Sequence, residues 1–285
     1  MAILFSLRRS RAVSLVAVGF VAVATGFAAC NKEASGSGAN ADQTRGGEVP
    51  PVRTPTYVAD VLQSWPHDTE AYTQGLLFDN GKLFESTGLV GKSSIREVEL
   101  TSGRVLRRKD VPEPYFGEGI VIMGNDLFEI TWTSGEAFVY DAKTFEKKTQ
   151  FKYEGEGWGL TTDGTSIVMS DGTAAIRFRD PKTFAVTRSI TVTDNGTPVP
   201  QLNELEWVKG EIWANVYQSD QIARIDPATG HVTGWIDLAG LLPLIDRTGK
   251  EDVLNGIAYD AKTDRYIVTG KFWPKMYEIR LKKRS

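Results

Sequence analysis

Tyr115-Phe116-Gly117-Glu118-Gly119-Ile120 opens a run of strand-like text that extends to Trp132, and its local design occurs five times in the chain. The copies read QGLLF from Gln74, EGIVI from Glu118, WGLTT from Trp158, NELEW from Asn203 and NGIAY from Asn255. Each sets a polar or aromatic residue directly before a short apolar strand. The leading residues lie 44, 40, 45 and 52 positions apart. A period of about 40–50 residues made of short strands is that of a β-propeller blade, a four-stranded sheet repeated around an axis. One carboxylate, three amides and an indole at a single repeat position point to a functional ring rather than to a core.

Outward from these copies, the text from Thr56 alternates between apolar and polar residues and is punctuated by turn signals. The first repeat predicts strands near residues 74–79, 82–87, 94–100 and 104–111, with turns at Asn80-Gly81 and Ser102-Gly103. The second runs from Glu118 to Tyr153, the third from Trp158 to about Thr193 and the fourth from Asn203 to Leu238. The fifth, from Asn255 to about Leu281, has room for only three strands, while the strand at 56–65 stands outside the first repeat. Pairing that N-terminal strand with the last three completes the fifth sheet and removes open edges. The expected fold is all-β, a five-bladed β-propeller over residues 56–285 with its N-terminal strand completing the last blade. Residues Ala239 to Val253 read as an inserted surface loop or short helical turn.

A second column emerges from the ends of the second strands: Gly88, Trp132, Gly172, Tyr217 and Lys271. The second strand runs antiparallel to the first, so its end lies beside the first strand's start, at one mouth of the channel. Glu118, Gln74, Trp158, Asn203 and Asn255 would then meet Trp132, Tyr217 and Lys271. Taken singly, each has a structural explanation: a strand-start carboxylate, packing rings, turn-forming amides, a solvated lysine. Opposite charges, amides and aromatic rings on one rim instead form the usual pattern of a small-ligand site.

Composition narrows the class. Charged residues are 24% of the chain and the formal net charge is −3, so no basic surface for nucleic acid is indicated. His67 and His231 are the two histidines and match no metal-ligand spacing, so no catalytic metal is expected. Residues 1–29 carry Arg8, Arg9 and Arg11, then an apolar run from Ala12 to Phe27, which is an export-signal pattern. The segment GFAAC ending at Cys30 resembles a bacterial lipobox, with Phe27 where leucine is commoner. Cys30 would be lipidated, and residues 31–55, rich in small and polar residues, would tether the domain to a membrane of the cell envelope. No oligomerisation signal is visible, so a monomer is the default.

With these residues identified, the sequence resembles the plant-type and bacterial glutaminyl-peptide cyclotransferases. The shared text includes PHDTEAYTQGL, LFESTGLVGKSSIREV, YFGEG, GWGLTTDG, LNELEW, GEIWANVY, DVLNGIAYD and VTGKFWPKMYEI, in family order from about Trp65 to Leu281. The resemblance implies a five-bladed propeller that converts the N-terminal glutamine of peptides or proteins to pyroglutamate with loss of ammonia, without a catalytic cofactor. It places the acid/base on Glu118 and a catalytic lysine on Lys271. Substrate contacts fall on Gln74, Trp132, Trp158 and Asn203, and on Tyr72 and Tyr217, which stand where the plant enzyme carries Phe and Trp. A structural divalent cation such as calcium, held in the channel by backbone carbonyls, is left open. The competing readings are a cell-surface propeller that binds a peptide without turning it over, and a metal-dependent propeller hydrolase. The latter needs several acidic ligands where the column supplies only Glu118.

Overall fold

Strand after strand of the chain pairs with its predecessor as an antiparallel hairpin; the structure, a computed structural model, describes residues 53–285. The export signal, Cys30 and the tether as far as residue 52 lie outside the described residues. The tether's last described residues already belong to the folded part: the Trp235 N–H donates to the Pro55 carbonyl at 2.8 Å.

The leading strand is β1 (Thr56–Pro66). One four-stranded sheet follows as β2 (Thr73–Asp79), β3 (Lys82–Thr87), β4 (Ser94–Glu99) and β5 (Arg104–Asp110). The next is β6 (Gly117–Met123), β7 (Asp126–Thr131), β8 (Glu136–Asp141) and β9 (Lys147–Lys152). The third is β10 (Leu160–Thr162), β11 (Ile167–Ser170), β12 (Ala175–Arg179) and β13 (Val186–Thr191). A small hairpin, β14 (Thr193–Asp194) with β15 (Thr197–Pro198), interrupts the pattern. Then come β16 (Leu202–Val208), β17 (Glu211–Val216), β18 (Gln221–Ile225) and β19 (Val232–Asp237), and finally β20 (Leu254–Asp260), β21 (Arg265–Gly270) and β22 (Lys275–Lys283). The fold is all-β; among the described residues the only helical element is a 3-10 turn, Leu244–Asp246, inside the segment expected as an insertion.

β1 pairs antiparallel with β22 from Tyr57↔Lys283 to Pro66↔Lys275, so the N-terminal strand completes the C-terminal sheet as the strand count required. It also runs parallel to β19 through Thr56↔Trp235 to Val58↔Asp237, which fuses the last two groups into one eight-stranded sheet. The sequence offered no sign of that second pairing.

Burial grades across each sheet. β2 and β6 begin with fully buried residues, whereas β5, β9 and β13 are largely exposed. The first strands touch in the order β2, β6, β10, β16, β20, and β20 touches β2 again. Apolar clusters fill the space between successive sheets: Leu77, Phe84 and Ile95 meet Ile120, Leu127 and Phe138, and Val121 and Phe128 meet Ile167 and Met169. Further round, Val168 and Phe178 meet Leu205 and Ile212, Trp213 and Ile222 meet Ile257 and Tyr277, and Ala258 and Ile267 meet Leu76 and Leu83. Each such side chain contributes about 1.5–3 kcal/mol on burial, which holds the sheets face to face.

The turns follow local chemistry. Asp141, Asp180 and Asp226 each accept backbone N–H bonds two or three residues on with one carboxylate oxygen, for example Lys143 at 2.9 Å and Thr183 at 2.9 Å. These bonds favour the ionised form and hold the Asp141 and Asp180 carboxyls below the usual range.

Candidate active site

The residues that lead the repeats are placed by β-bulges. Pairing slips between Thr73↔Thr87 and Gly75↔Ser86, between Gly117↔Thr131 and Ile120↔Glu129, between Leu202↔Val216 and Leu205↔Ala214, and between Leu254↔Gly270 and Ile257↔Val268. The residues left over are Gln74 alone in the first sheet, and Glu118, Asn203 and Asn255 each with the residue after it. A bulge turns a side chain out of the strict in–out alternation, and here it aims four of the five leaders at one end of the first strands, while Trp158 stands just ahead of β10.

The residue after the bulge leader is glycine in four repeats, because neighbouring first strands approach too closely for a side chain. A Cβ at Gly119 would lie 2.5 Å from the Leu160 nitrogen, and one at Gly159 would lie 2.1 Å from the Asn203 carbonyl oxygen. The fourth repeat departs: Glu204 takes that place. Its carboxylate reaches across the axis to accept the Leu76 N–H at 3.2 Å and the Ile257 N–H at 2.9 Å, tying β16 to β2 and β20. Burial outweighs these bonds, with Glu206 nearby, and raises the Glu204 pKa well above its ordinary value.

At the bulged end lies a cavity of about 180 Å³ lined by Tyr72, Gln74, Phe116, Glu118, Trp132, Trp158, Asn203, Tyr217 and Lys271. That is below the roughly 300–1,000 Å³ of pockets that take drug-sized ligands, so it suits one terminal residue rather than a peptide. A larger cavity, about 420 Å³, opens at the other end of the same strands between Phe78, Ile122, Thr162, Trp207 and Tyr259. Of its two carboxylates, Glu206 is buried and already accepts the Tyr259 N–H at 2.8 Å, while Asp79 accepts from the Asn80 side-chain amide at 3.1 Å.

Glu118 and Lys271 thus share one chamber. Both are at least nine-tenths buried by surface area, and they act on each other through space rather than by a direct hydrogen bond. Burial raises the Glu118 pKa well above the carboxylate range; Lys271 works against that shift and Glu156 adds to it. Burial likewise lowers Lys271, opposed by Glu118 and Asp252. Gln74 donates from Nε2 to the Glu118 carboxylate at 3.1 Å. Asn203 has an Oδ1 with no partner in a buried position, an acceptor left for an incoming donor.

The walls are rings set edge to face. Phe116 meets Tyr72 at 6.2 Å and Trp132 at 5.7 Å between centroids, and Trp158 meets Tyr217 at 5.5 Å. The Lys271 ammonium lies 4.6 Å from the Tyr72 ring centre and 5.5 Å from that of Tyr217, within cation–π range. The Tyr72 hydroxyl donates to Asp252 at 3.0 Å, and the Trp273 indole N–H donates to the Asp252 carbonyl at 2.9 Å, so the end of the inserted segment props this side of the chamber.

Of the residues expected from the sequence, Asn255 alone does not line the cavity. Its Nδ2 donates to the Thr73 carbonyl at 3.0 Å and to Gln74 Oε1 at 3.4 Å, so it holds Gln74 from behind. Phe116 and Glu156 were not expected. Both stand two residues before a repeat leader, as Tyr72 does, and that spacing could have found them. The Trp132 N–H donates to the Phe116 carbonyl at 3.0 Å just as Gly88 donates to Tyr72 at 2.8 Å, which marks the equivalence.

Among the described residues no group of three or more His, Cys, Asp or Glu side chains is disposed to hold a metal.

Comparison with known proteins agrees in fold and in chemistry. A glutaminyl-peptide cyclotransferase from Arabidopsis thaliana is 47% identical over 230 residues, covering 79% of this chain and 72% of the relative. The crystal structure of a Myxococcus xanthus glutaminyl cyclase superposes with a TM-score of 0.77 at 36% identity, covering 82% of this chain and all of that one. The glutamine cyclotransferase family model matches residues 29–281, and the chain belongs to that family.

Proposed function

We propose that the chamber converts the N-terminal glutamine of a peptide or protein into pyroglutamate with release of ammonia, in a five-bladed propeller whose fifth blade is completed by β1. Five interfacial cores, the closed order of first strands and the β1–β22 pairing support the blade count. The observation that carries the chemistry is the enclosure of one carboxylate and one ammonium, Glu118 and Lys271, by aromatic walls in a space of single-residue size.

An α-amine has a pKa of about 7.7–8.0, so generating the nucleophile is easy at neutral pH. Folding the side chain back on the amine is harder, and the rings enforce it by leaving no room for the extended conformer. The amine nitrogen attacks the side-chain amide carbon, forming the new C–N bond and an oxyanion. The Lys271 ammonium stabilises that oxygen, and the free Asn203 Oδ1 accepts an N–H of the substrate. Glu118 takes the proton from the attacking nitrogen and delivers it to the departing one. The original C–N bond then breaks and ammonia leaves. The raised pKa of Glu118 narrows its gap to the amine, so proton transfer in both directions is inexpensive. Gln74 steadies the carboxylate throughout. No step requires a cofactor.

The test is ammonia release and loss of one ammonia by mass spectrometry from a glutamine-initiated peptide with the purified domain over residues 53–285. Glu118→Gln should lower kcat by about 10²–10⁴-fold while the fold persists. Near-normal turnover in that variant would remove Glu118 from the acid/base role. In the same reading the enzyme acts as a monomer in the cell envelope, on the periplasmic side or at the cell surface, held to a membrane by lipid on Cys30; Cys30→Ser should release it to the soluble fraction.

A further inference from the structure

We propose that Glu156 is a positioning residue for this reaction, the fastener that closes the aromatic collar around the substrate. The inference rests on the cyclotransferase reading of the chamber. Glu156 does not line the cavity, yet one of its carboxylate oxygens, Oε2, accepts the Trp132 indole N–H at 2.7 Å and the Trp158 indole N–H at 2.8 Å. The two indoles come from different sheets, one following β7 and the other preceding β10, and a single oxygen atom joins them.

The loop that carries Glu156 is fixed at both ends. Tyr153 donates its N–H to the Gly135 carbonyl at 2.8 Å, and Gly157 donates to the Trp132 carbonyl at 2.9 Å. The carboxylate is therefore presented by a held backbone rather than by a loose loop. Around the chamber every other pair of neighbouring walls is joined by ring packing or through the Lys271 ammonium. Between Trp132 and Trp158 the join is Glu156. Trp132 needs it most, since 42% of its surface is exposed and little else packs over it. Hydrogen bonds to an ionised acceptor are the strong ones, and a shared acceptor also fixes the angle between the two rings. That angle defines the slot in which a glutamine side chain must bend.

The experiment has two readouts on the intact domain. In the first, ¹⁵N-indole NMR follows the seven tryptophan side chains. Glu156→Ala should shift the two signals that Trp132→Phe and Trp158→Phe identify, whatever the activity proves to be. In the second, kcat and KM are measured on a glutamine-initiated peptide. Glu156→Ala should lose about tenfold in kcat/KM, the scale of one hydrogen bond to a charged group. Glu156→Gln, whose carbonyl can accept both indole donors, should recover most of that loss. In a Trp132→Phe background, Glu156→Ala should cost much less than in the wild type, because one of its donors is already gone. Unmoved indole signals, an equal loss in both backgrounds, or a Gln variant as impaired as the Ala variant would each overturn the proposal. A wild-type domain that releases no ammonia would instead overturn the reading of the chamber, while leaving the NMR result to stand by itself.

Discussion

Adding one methyl group at Gly88 tests whether the chamber works by shape. Gly88 ends the second strand of the first sheet, and its N–H donates to the Tyr72 carbonyl at 2.8 Å. An ideal Cβ there would sit 2.4 Å from Phe116 Cε1, 2.7 Å from Cζ and 3.0 Å from Gln74 Nε2. Carbon atoms pack at about 3.5–4.0 Å, so the Phe116 ring must withdraw by about 1 Å. It has little freedom to do so alone, being set edge-on against Trp132 at 5.7 Å and Tyr72 at 6.2 Å. Gln74, the donor to Glu118, is pushed by the same methyl. A misplacement of about 1 Å near a reacting group costs about 10²-fold, and overpacking costs about 1–3 kcal/mol of stability. Gly88→Ala should therefore fold with a lowered Tm and lose about 10²-fold in kcat/KM, measured as initial rates of ammonia release. Trimming the displaced ring, in Gly88→Ala/Phe116→Leu, should restore the Tm more than the rate. A Gly88→Ala enzyme with near wild-type kcat/KM would refute the argument that the ring positions matter at this scale.

Lys271→Met should lower kcat by about 10²–10³-fold through loss of the oxyanion donor. It should also move the acid limb of the kcat/KM profile to higher pH, because Lys271 is the group that holds the Glu118 pKa down; a limb that stays or falls would contradict this. A separate test concerns Glu129, buried behind the Glu118 bulge, where burial pushes its pKa up to about 8 against a weak Tyr140 hydrogen bond at 3.3 Å. A carboxyl whose pKa is higher folded than unfolded stabilises fully below about pH 4.5, and that contribution is lost as pH rises through about 8. Thermal melts should thus show Tm falling over this interval, and Glu129→Gln should flatten the fall, leaving the parts due to Glu206, also pushed to about 8, and to Glu118 and Glu204, whose pKa values burial raises too. An unchanged slope would exclude Glu129 as a source.

How far the sequence carried these conclusions depended on which forces wrote themselves into it. Strand order, turns and the role of β1 were legible because alternation, Asn-Gly and Ser-Gly turns and the missing fourth strand of the last repeat are local signals. The bulges were not legible, since a slip of register leaves no mark beyond the glycine that follows the leader. Reading the leaders as one column still found Gln74, Glu118 and Asn203, but gave no warning that Asn255 would face Gln74 instead of the chamber. Phe116 and Glu156 carry no such mark: the positions two residues before the leaders hold Tyr72, Phe116, Glu156, Gln201 and Val253, which share no residue type. The β1–β19 pairing and the β14–β15 hairpin arise from edge contacts between distant segments, to which periodicity is blind.

Glu204 has a consequence for traffic. Where four repeats leave glycine, its carboxylate bridges to Leu76 and Ile257 and forms a floor beneath the chamber. With both its oxygens tied to backbone N–H groups, this side chain stands between the cavities at the two ends of the first strands, so what forms in the aromatic chamber is kept from the other side.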